Sequence, residues 1–361
     1  MSQPVLYCAI TAHGFGHAVR VASVAAKIQQ QAPNILLVMV TTAPRWLLAS
    51  YIPGDFIYRP RAFDVGVIQS DSITMDKAAT LQKMQEFQTK QNSIIAAEVN
   101  FIQTNKVGLI LADIPALAAP IAKIANIPCW MMSNFGWDFI YRSWGGEFVK
   151  IADWISECYS KCDGLFRLPF AEPMSAFSNI IDVGLTGGTP YYSEAILRAN
   201  FNINTPVSQT ILLSFGGLGL QAIPYQNLAK FPHLQFITFD HQAPHLPNLI
   251  KVTDNKYRPV DFLPLCGRII SKPGYSTFAE AIRLNVPIIS LTREDFAESS
   301  LLLNGLQNHS YHQIISAEDF FQGNWDFLHQ LPNPPQISTP IPINGTEVIA
   351  NQIIEYFNTK L

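Results

Sequence analysis

Charge is scarce in this chain of 361 residues: 14% are Asp, Glu, Lys or Arg, against 48% that are hydrophobic. That balance excludes a disordered or fibrous polymer, and the length suits two domains of ordinary size. Neither sign is in excess, with a formal net charge of −3 and a pI near 6.2, and no basic patch stands out. A general attraction for nucleic-acid phosphates is therefore missing, and nucleic acid is not expected as a partner. Long apolar runs are absent too, none reaching the ~20 residues of a membrane span. This leaves peripheral membrane contact open but predicts no transmembrane segment. The first ten residues, MSQPVLYCAI, have no basic region ahead of their apolar run and lead at once into a Gly-rich loop. They read as a first strand, not a signal peptide, and the expected compartment is the cytoplasm. Cysteine is sparse: Cys8, Cys129, Cys158, Cys162 and Cys266 make an odd number without a C-x-x-C pair, as reduced thiols do. Cys158 and Cys162 lie one helical turn apart, but no further ligand completes a site, so no metal is expected.

What is present is a repeated rhythm of short apolar run, turn and amphipathic stretch, which predicts an α/β fold with parallel sheets. Val5–Ile10, Ile35–Thr41, Val107–Ala112 and Cys129–Ser133 are apolar throughout, as strands covered on both faces should be. Helices are expected over His17–Gln31, Met75–Thr104 and Ala116–Ala125. A second series follows, with strands at Thr210–Phe215, Gln235–Phe239, Ile269–Ser271 and Pro287–Leu291 and helices at Thr277–Leu284 and Glu298–Asn308. The expectation is a first doubly wound domain over 1–185, a second over 186–345, and a C-terminal helix over 346–361.

The loop after the first strand reads Ala12-His13-Gly14-Phe15-Gly16-His17-Ala18-Val19-Arg20. Backbone N–H groups around Gly14 and Gly16, at the helix start, face the carboxyl end of the sheet, where ligands bind. A dinucleotide fingerprint fits badly, because Val19 stands where a third Gly belongs and strand two ends in Thr41-Thr42 without an acid. Two histidines in one such loop suit removal of a proton from a hydroxyl, since neutral imidazole accepts near pH 7. His17 is the candidate base, His13 its neighbour, and Asp113, at the end of the strand over 107–112, the candidate orienting partner. The structural alternative is that His17 caps its loop and Asp113 caps the helix that follows.

The second series carries a similar edge. Ser214-Phe215-Gly216-Gly217-Leu218-Gly219 allows close backbone approach and N–H donation to a diphosphate. Lys272-Pro273-Gly274-Tyr275-Ser276-Thr277-Phe278-Ala279-Glu280-Ala281 reads as a strand end, a turn and a helix start, with Ser276 or Thr277 as N-cap. Glu280 stands three residues after Thr277, the spacing of a capping box. The functional alternative gives Gly274, Ser276 and Thr277 to phosphate and Glu280 to ribose hydroxyls. Arg293-Glu294-Asp295-Phe296-Ala297-Glu298 is either a sugar-binding cluster or an acidic helix start favoured by the dipole.

These paired loops, Gly-x-Gly-His and Lys-Pro-Gly-Tyr-Ser-Thr-x-x-Glu-Ala, resemble those of GT-B glycosyltransferases, among them the peptidoglycan N-acetylglucosaminyltransferase and the UDP-sugar transferases. His13–Arg20, Ser133–Tyr141 and Lys272–Ala281 are more closely similar to the glycosyltransferase-like N-terminal part of L-arabinokinase-type proteins, up to about Leu306. The resemblance implies two Rossmann-like domains facing across a cleft, a nucleotide-sugar, UDP-linked above all, bound mainly by the second, and an unidentified acceptor bound by the first. It implies metal-independent transfer in the cleft; the expected mechanism is inverting, with no cofactor. By position it gives His17 the role of base and Asp113 that of its partner. It assigns Glu280 to the ribose and Asp295 with Glu298 to the donor sugar, Glu298 standing where many members carry Gln. The C-terminal helix would cross back onto the first domain. No Pro-x-x-x-Gly-Leu-Ser-Ser-Ser-Ala-like loop occurs, so sugar kinase activity is not expected.

Aromatic residues gather after the strand over 129–133, where Phe135 and Trp137 either stack an acceptor or belong to the core, and Asp138 among them is a candidate acceptor-orienting carboxylate. The reading is of a transferase in which His17 deprotonates an acceptor hydroxyl while Gly-loop N–H groups and Lys272 or Arg293 stabilise the departing diphosphate. A non-catalytic sugar-nucleotide sensor and a nucleotide-sugar epimerase are its rivals.

Overall fold

The computed structural model describes residues 3–11, 13–69, 74–217, 219–220 and 223–360; Ala12 and Leu218, in the two Gly-rich loops, lie outside them. The apolar runs pair into two sheets. The first holds β1 (Val5–Ile10), β2 (Leu36–Val40), β3 (Ile57–Arg59), β4 (Leu109–Asp113), β5 (Cys129–Ser133), β6 (Gly164–Arg167) and β7 (Ile180–Asp182), in the order β3-β2-β1-β4-β5-β6-β7. The second holds β8 (Thr210–Ser214), β9 (Gln235–Thr238), β10 (Leu249–Lys251), β11 (Arg268–Ser271), β12 (Ile288–Leu291) and β13 (His312–Ile315), in the order β10-β9-β8-β11-β12-β13. Every ladder in both is parallel. The central strands are buried along their whole length because helices cover both faces, which is why they are apolar without alternation.

Strand order fixes where a ligand can sit. In the first sheet the chain winds outward from β1 through β2 and β3, then returns to place β4 on the other side of β1; in the second, β8 and β11 stand in the same relation. Each pair is a switch point, where the loops leaving adjacent strands diverge and open a crevice. Register pairs Ile10 with Asp113 and Ser214 with Ser271, so each Gly-rich loop starts beside a second functional segment.

The helix Gly345–Lys360 packs along the helix Gly16–Gln31, and Ile349, Ile353 and Phe357 join the core beneath the first sheet. Tyr356 donates its hydroxyl to the Gly108 carbonyl at 3.0 Å. That core continues into the second half through Phe262, Tyr275 and Ile269, while Phe296, from the second half, packs in the cluster on the other face of the first sheet.

Candidate active site

The helix after β1 opens at Gly16, and its second residue, His17, sits in the crevice at 6% exposure. Nδ1 of His17 lies 2.8 Å from Oδ1 of Asp113, which is fully buried at the end of β4. With Nδ1 engaged by the carboxylate, Nε2 is the ring nitrogen left to meet a ligand. The capping alternatives do not hold. Phe15 is the N-cap of the first helix without a side-chain bond, and the helix after β4 starts at Ala118, away from the Asp113 carboxylate.

Arg20, whose importance the sequence reading missed, completes this group. One turn along the same helix, its guanidinium grips both oxygens of Asp113, Nη2 lying 2.6 Å from Oδ1 and Nε donating to Oδ2. Nη2 also donates to Ser133 at 2.9 Å, and Nη1 to the Asn134 side-chain oxygen at 2.7 Å. Burial alone would raise the Asp113 pKa; the charges of Arg20 and His17 and their hydrogen bonds outweigh it and hold the group below the ordinary carboxylate range. The spacing of three between His17 and Arg20 put both on one helix face and was the available signal.

His13 serves differently. Its ring stacks on Phe296 at 5.8 Å and meets Trp137 edge-on at 5.0 Å. Burial, then the charges of Arg293, His17 and Lys272, push its pKa well below the usual imidazole value. A neutral ring whose Nδ1 accepts from the Val67 N–H at 3.3 Å carries its proton on Nε2, so His13 is a donor and is not placed to act as a base.

From the second half, the helix Tyr275–Arg283 points its N-terminus at the crevice. Its N-cap is Gly274, not Ser276 or Thr277, and the capping box is not formed. Ser276 instead donates its hydroxyl to the Gly16 carbonyl at 2.7 Å, joining the two loops. Glu280, freed from capping, accepts from the Gly188 N–H at 2.9 Å. Burial is the main cause that raises its pKa to about 7, against the lowering effects of that bond, Arg258 and Arg283. Lys272 is half-buried beside Gly216, and desolvation together with Arg293 lowers its pKa to about 7, with Glu298 opposing.

These residues line a cavity of two connected lobes. The narrow lobe, about 100 Å³, is lined by His13, His17, Phe135, Lys272, Tyr275, Arg293 and Glu298. The wide lobe, about 810 Å³, is lined by Tyr51, Thr238, Asp240, Tyr257, Arg258 and Glu280. Gly16, Gly216, Gly217, Ser276 and Thr277 line both, at the waist, and Gly14 lines the narrow lobe. Gly216 has φ +77°, and a Cβ on Gly217 would lie 2.5 Å from the Phe15 ring, so this waist requires glycine.

Asn134, also missed and fully buried, bridges the halves: its amide nitrogen donates to Glu298 Oε1 at 2.8 Å while its oxygen accepts from Arg20. Three expected residues lie elsewhere. Asp295 points to the surface, where Lys77 pairs with it at 2.8 Å. Asp138 is turned into the helix pair behind the site, accepting from Ser156 at 2.8 Å. Trp137 is core behind His13, its indole N–H donating to Asp64 at 3.0 Å; only Phe135 of the three acceptor candidates reaches the cavity.

The whole architecture superposes on solved structures of known transferases. The calicheamicin glycosyltransferase CalG4 matches with a TM-score of 0.61 at 14% identity, over 99% of this chain and 99% of that one. This is the GT-B fold. Phytolacca americana UGT2, solved with UDP-2fluoro-glucose and pterostilbene, matches the GT-B architecture of the chain with a TM-score of 0.60 at 14% identity, over 90% of this chain and 88% of that one. UDP-glucose: anthocyanidin 3-O-glucosyltransferase, solved with UDP, gives 0.60 at 12% identity, over 98% and 94%. In sequence the chain is 30% identical over 323 residues to L-arabinokinase of Arabidopsis thaliana, covering 88% of this chain. It spans only 31% of that relative's length. No protein-family model matches the chain. Among the described residues no helix is long and apolar enough to cross a membrane.

Proposed function

We propose that the chain transfers a sugar from a nucleoside diphosphate, UDP above all, to a hydroxyl nucleophile with inversion at the anomeric carbon and without a metal or cofactor. The observation that carries this is the buried His17–Asp113 pair at the narrow lobe of a two-lobed cavity inside a GT-B fold. A nucleoside fits the wide lobe, where the Glu280 carboxyl accepts from ribose hydroxyls. The diphosphate then lies at the waist, against the N–H groups of the Gly216–Gly217 turn and of the helix start at Tyr275, next to the Lys272 ammonium. The sugar enters the narrow lobe beside Glu298, Arg293 and the Nε2–H of His13.

Chemistry follows from this arrangement. Asp113 holds the His17 ring by Nδ1, leaving Nε2 to take the proton of the attacking hydroxyl as it bonds to the anomeric carbon. Lys272, Arg293 and the helix N-terminus stabilise the negative charge that grows on the leaving diphosphate. Neighbours with the same fold were solved with UDP or a UDP-sugar, which supports the choice of donor. A thermal-shift screen against UDP, GDP, ADP, dTDP and their sugars tests the donor side: ligand at 100 times its Kd stabilises by ~2.7 kcal/mol. The proposal expects a shift selective for UDP and lost in Glu280→Ala; no shift with any nucleotide would refute it.

A further inference from the structure

We infer that the nucleophile this site accepts is small, water or a compact polyol, because the segment 293–297 of the second half seals the acceptor side of the cleft. The inference rests on the transfer reading above. Phe135 is the one predicted acceptor residue at the cavity, and Phe296 covers it edge-on at 5.9 Å while stacking on His13. Phe296 is 4% exposed and belongs to the core of the first half, so it is a wedge inserted into that half and not a surface side chain. A seam continues outward from it. The Trp144 indole N–H donates to the Asp295 carbonyl at 2.9 Å, the Lys77 ammonium meets the Asp295 carboxylate at 2.8 Å, and Arg293 Nη2 lies 3.5 Å from the Met75 sulfur. At the inner end the Asn134–Glu298 bond closes the line.

Among the described residues, no apolar recess for an extended aglycone therefore opens beside His17. Phe135 and Phe296 border the narrow lobe there together with His13, His17, Gln69, Arg293 and Glu298, whose donors and acceptors are suited to hydroxyls. Met75, Lys77, Trp144 and Asp295 of this seam do not line the wide lobe proposed for the donor nucleoside. In the step, the bond from the anomeric carbon to the β-phosphate oxygen breaks and its electron pair leaves with the nucleoside diphosphate. The nucleophile's oxygen forms the new bond to that carbon, and its proton passes to Nε2 of His17. With water the products are free sugar and nucleoside diphosphate.

The test has a binding arm and a turnover arm. Equilibrium dialysis of pterostilbene against the native chain, with UDP present, is expected to show no binding, and Phe296→Ala to show a gain. Trp144→Phe, which keeps a ring and loses the indole N–H bond to Asp295, serves if Phe296→Ala fails to fold. For turnover, Lys77→Cys with Asp295→Cys is joined by a short cleavable bismaleimide; the five native cysteines are buried, which directs the reagent to the introduced pair. The locked chain is expected to convert UDP-glucose to UDP and glucose, or to glucosylglycerol with glycerol present, as fast as the unlocked one. Stoichiometric pterostilbene binding by the native chain, or turnover that stops on locking and returns on cleavage, would overturn the inference. A UDP-induced thermal shift on the same samples separates these results from failure of the donor site, and the dialysis arm decides acceptor size without any turnover.

Discussion

Replacing Glu280 with Gln should make the ligand-free protein more stable, by an amount that grows from about pH 4.5 to about pH 7 and is complete above that. The carboxyl is 5% exposed and its one short hydrogen bond comes from the Gly188 N–H. Burial raises its folded-state pKa from 4.5 to about 7. The sign follows from proton binding. Below pH 4.5 both states hold the proton and no penalty exists; between 4.5 and 7 the unfolded chain releases it while the native chain keeps it, so stability falls as pH rises; above 7 the loss is complete. The difference corresponds to ~3 kcal/mol, an order-of-magnitude figure. Gln keeps the shape and the acceptor for Gly188 but cannot ionise, so it escapes the loss. Urea unfolding followed by tryptophan fluorescence at pH 5 and pH 8 reads this directly: little difference at the lower pH, and a midpoint shifted upward in the variant at the higher. Equal shifts at both values, or destabilisation at pH 8, would refute burial as the cause of the raised pKa. If the carboxylate also serves ribose, the same variant binds UDP more weakly while being more stable, the opposite of what a purely structural acid gives.

Arg20→Met should leave Asp113 as a buried carboxylate facing His17 alone, costing ~3–5 kcal/mol in denaturant unfolding; a loss below ~1 kcal/mol would remove Arg20 from its bridging role. Asn134→Asp sets a carboxylate against Glu298 and should depress turnover, whereas the double change Asn134→Asp with Glu298→Gln restores it, because Gln donates to Asp and Asp still accepts from Arg20; failure of that rescue in steady-state assays would break the proposed link. Gly217→Ala places a methyl where the Phe15 ring lies and should weaken UDP binding measured by calorimetry, with unchanged affinity contradicting the tight waist.

Much of the fold could be read because its strands are buried on both faces: the apolar runs at Val5–Ile10 and Cys129–Ser133 mark β1 and β5 to the residue. The closeness of His17 to Asp113 was legible as well, since parallel topology brings strand ends to one rim. Local rules failed where a distant partner competes for the side chain. Ser276 and Glu280 have the spacing of a cap and are drawn instead to Gly16 and Gly188. Charges were harder still. Asp295 and Asp138 looked as purposeful as Glu298, yet Lys77 and Ser156 hold them outside the cavity. Arg258, which grips Asp261 and stacks over Tyr191 at 3.6 Å on the wide lobe, gave no sign in sequence, because the Tyr191 and Tyr51 rings it packs against lie far away along the chain.

The central claim is that His17 is the base of a glycosyl transfer, and its most direct test is the pairing of turnover with donor affinity in His17→Ala. Consumption of a UDP-sugar that falls by ~10²–10⁴, with UDP affinity by calorimetry unchanged, is the predicted result, since the ring takes a proton in the transition state and is not needed to hold the nucleotide. Undiminished consumption in the variant would contradict the account.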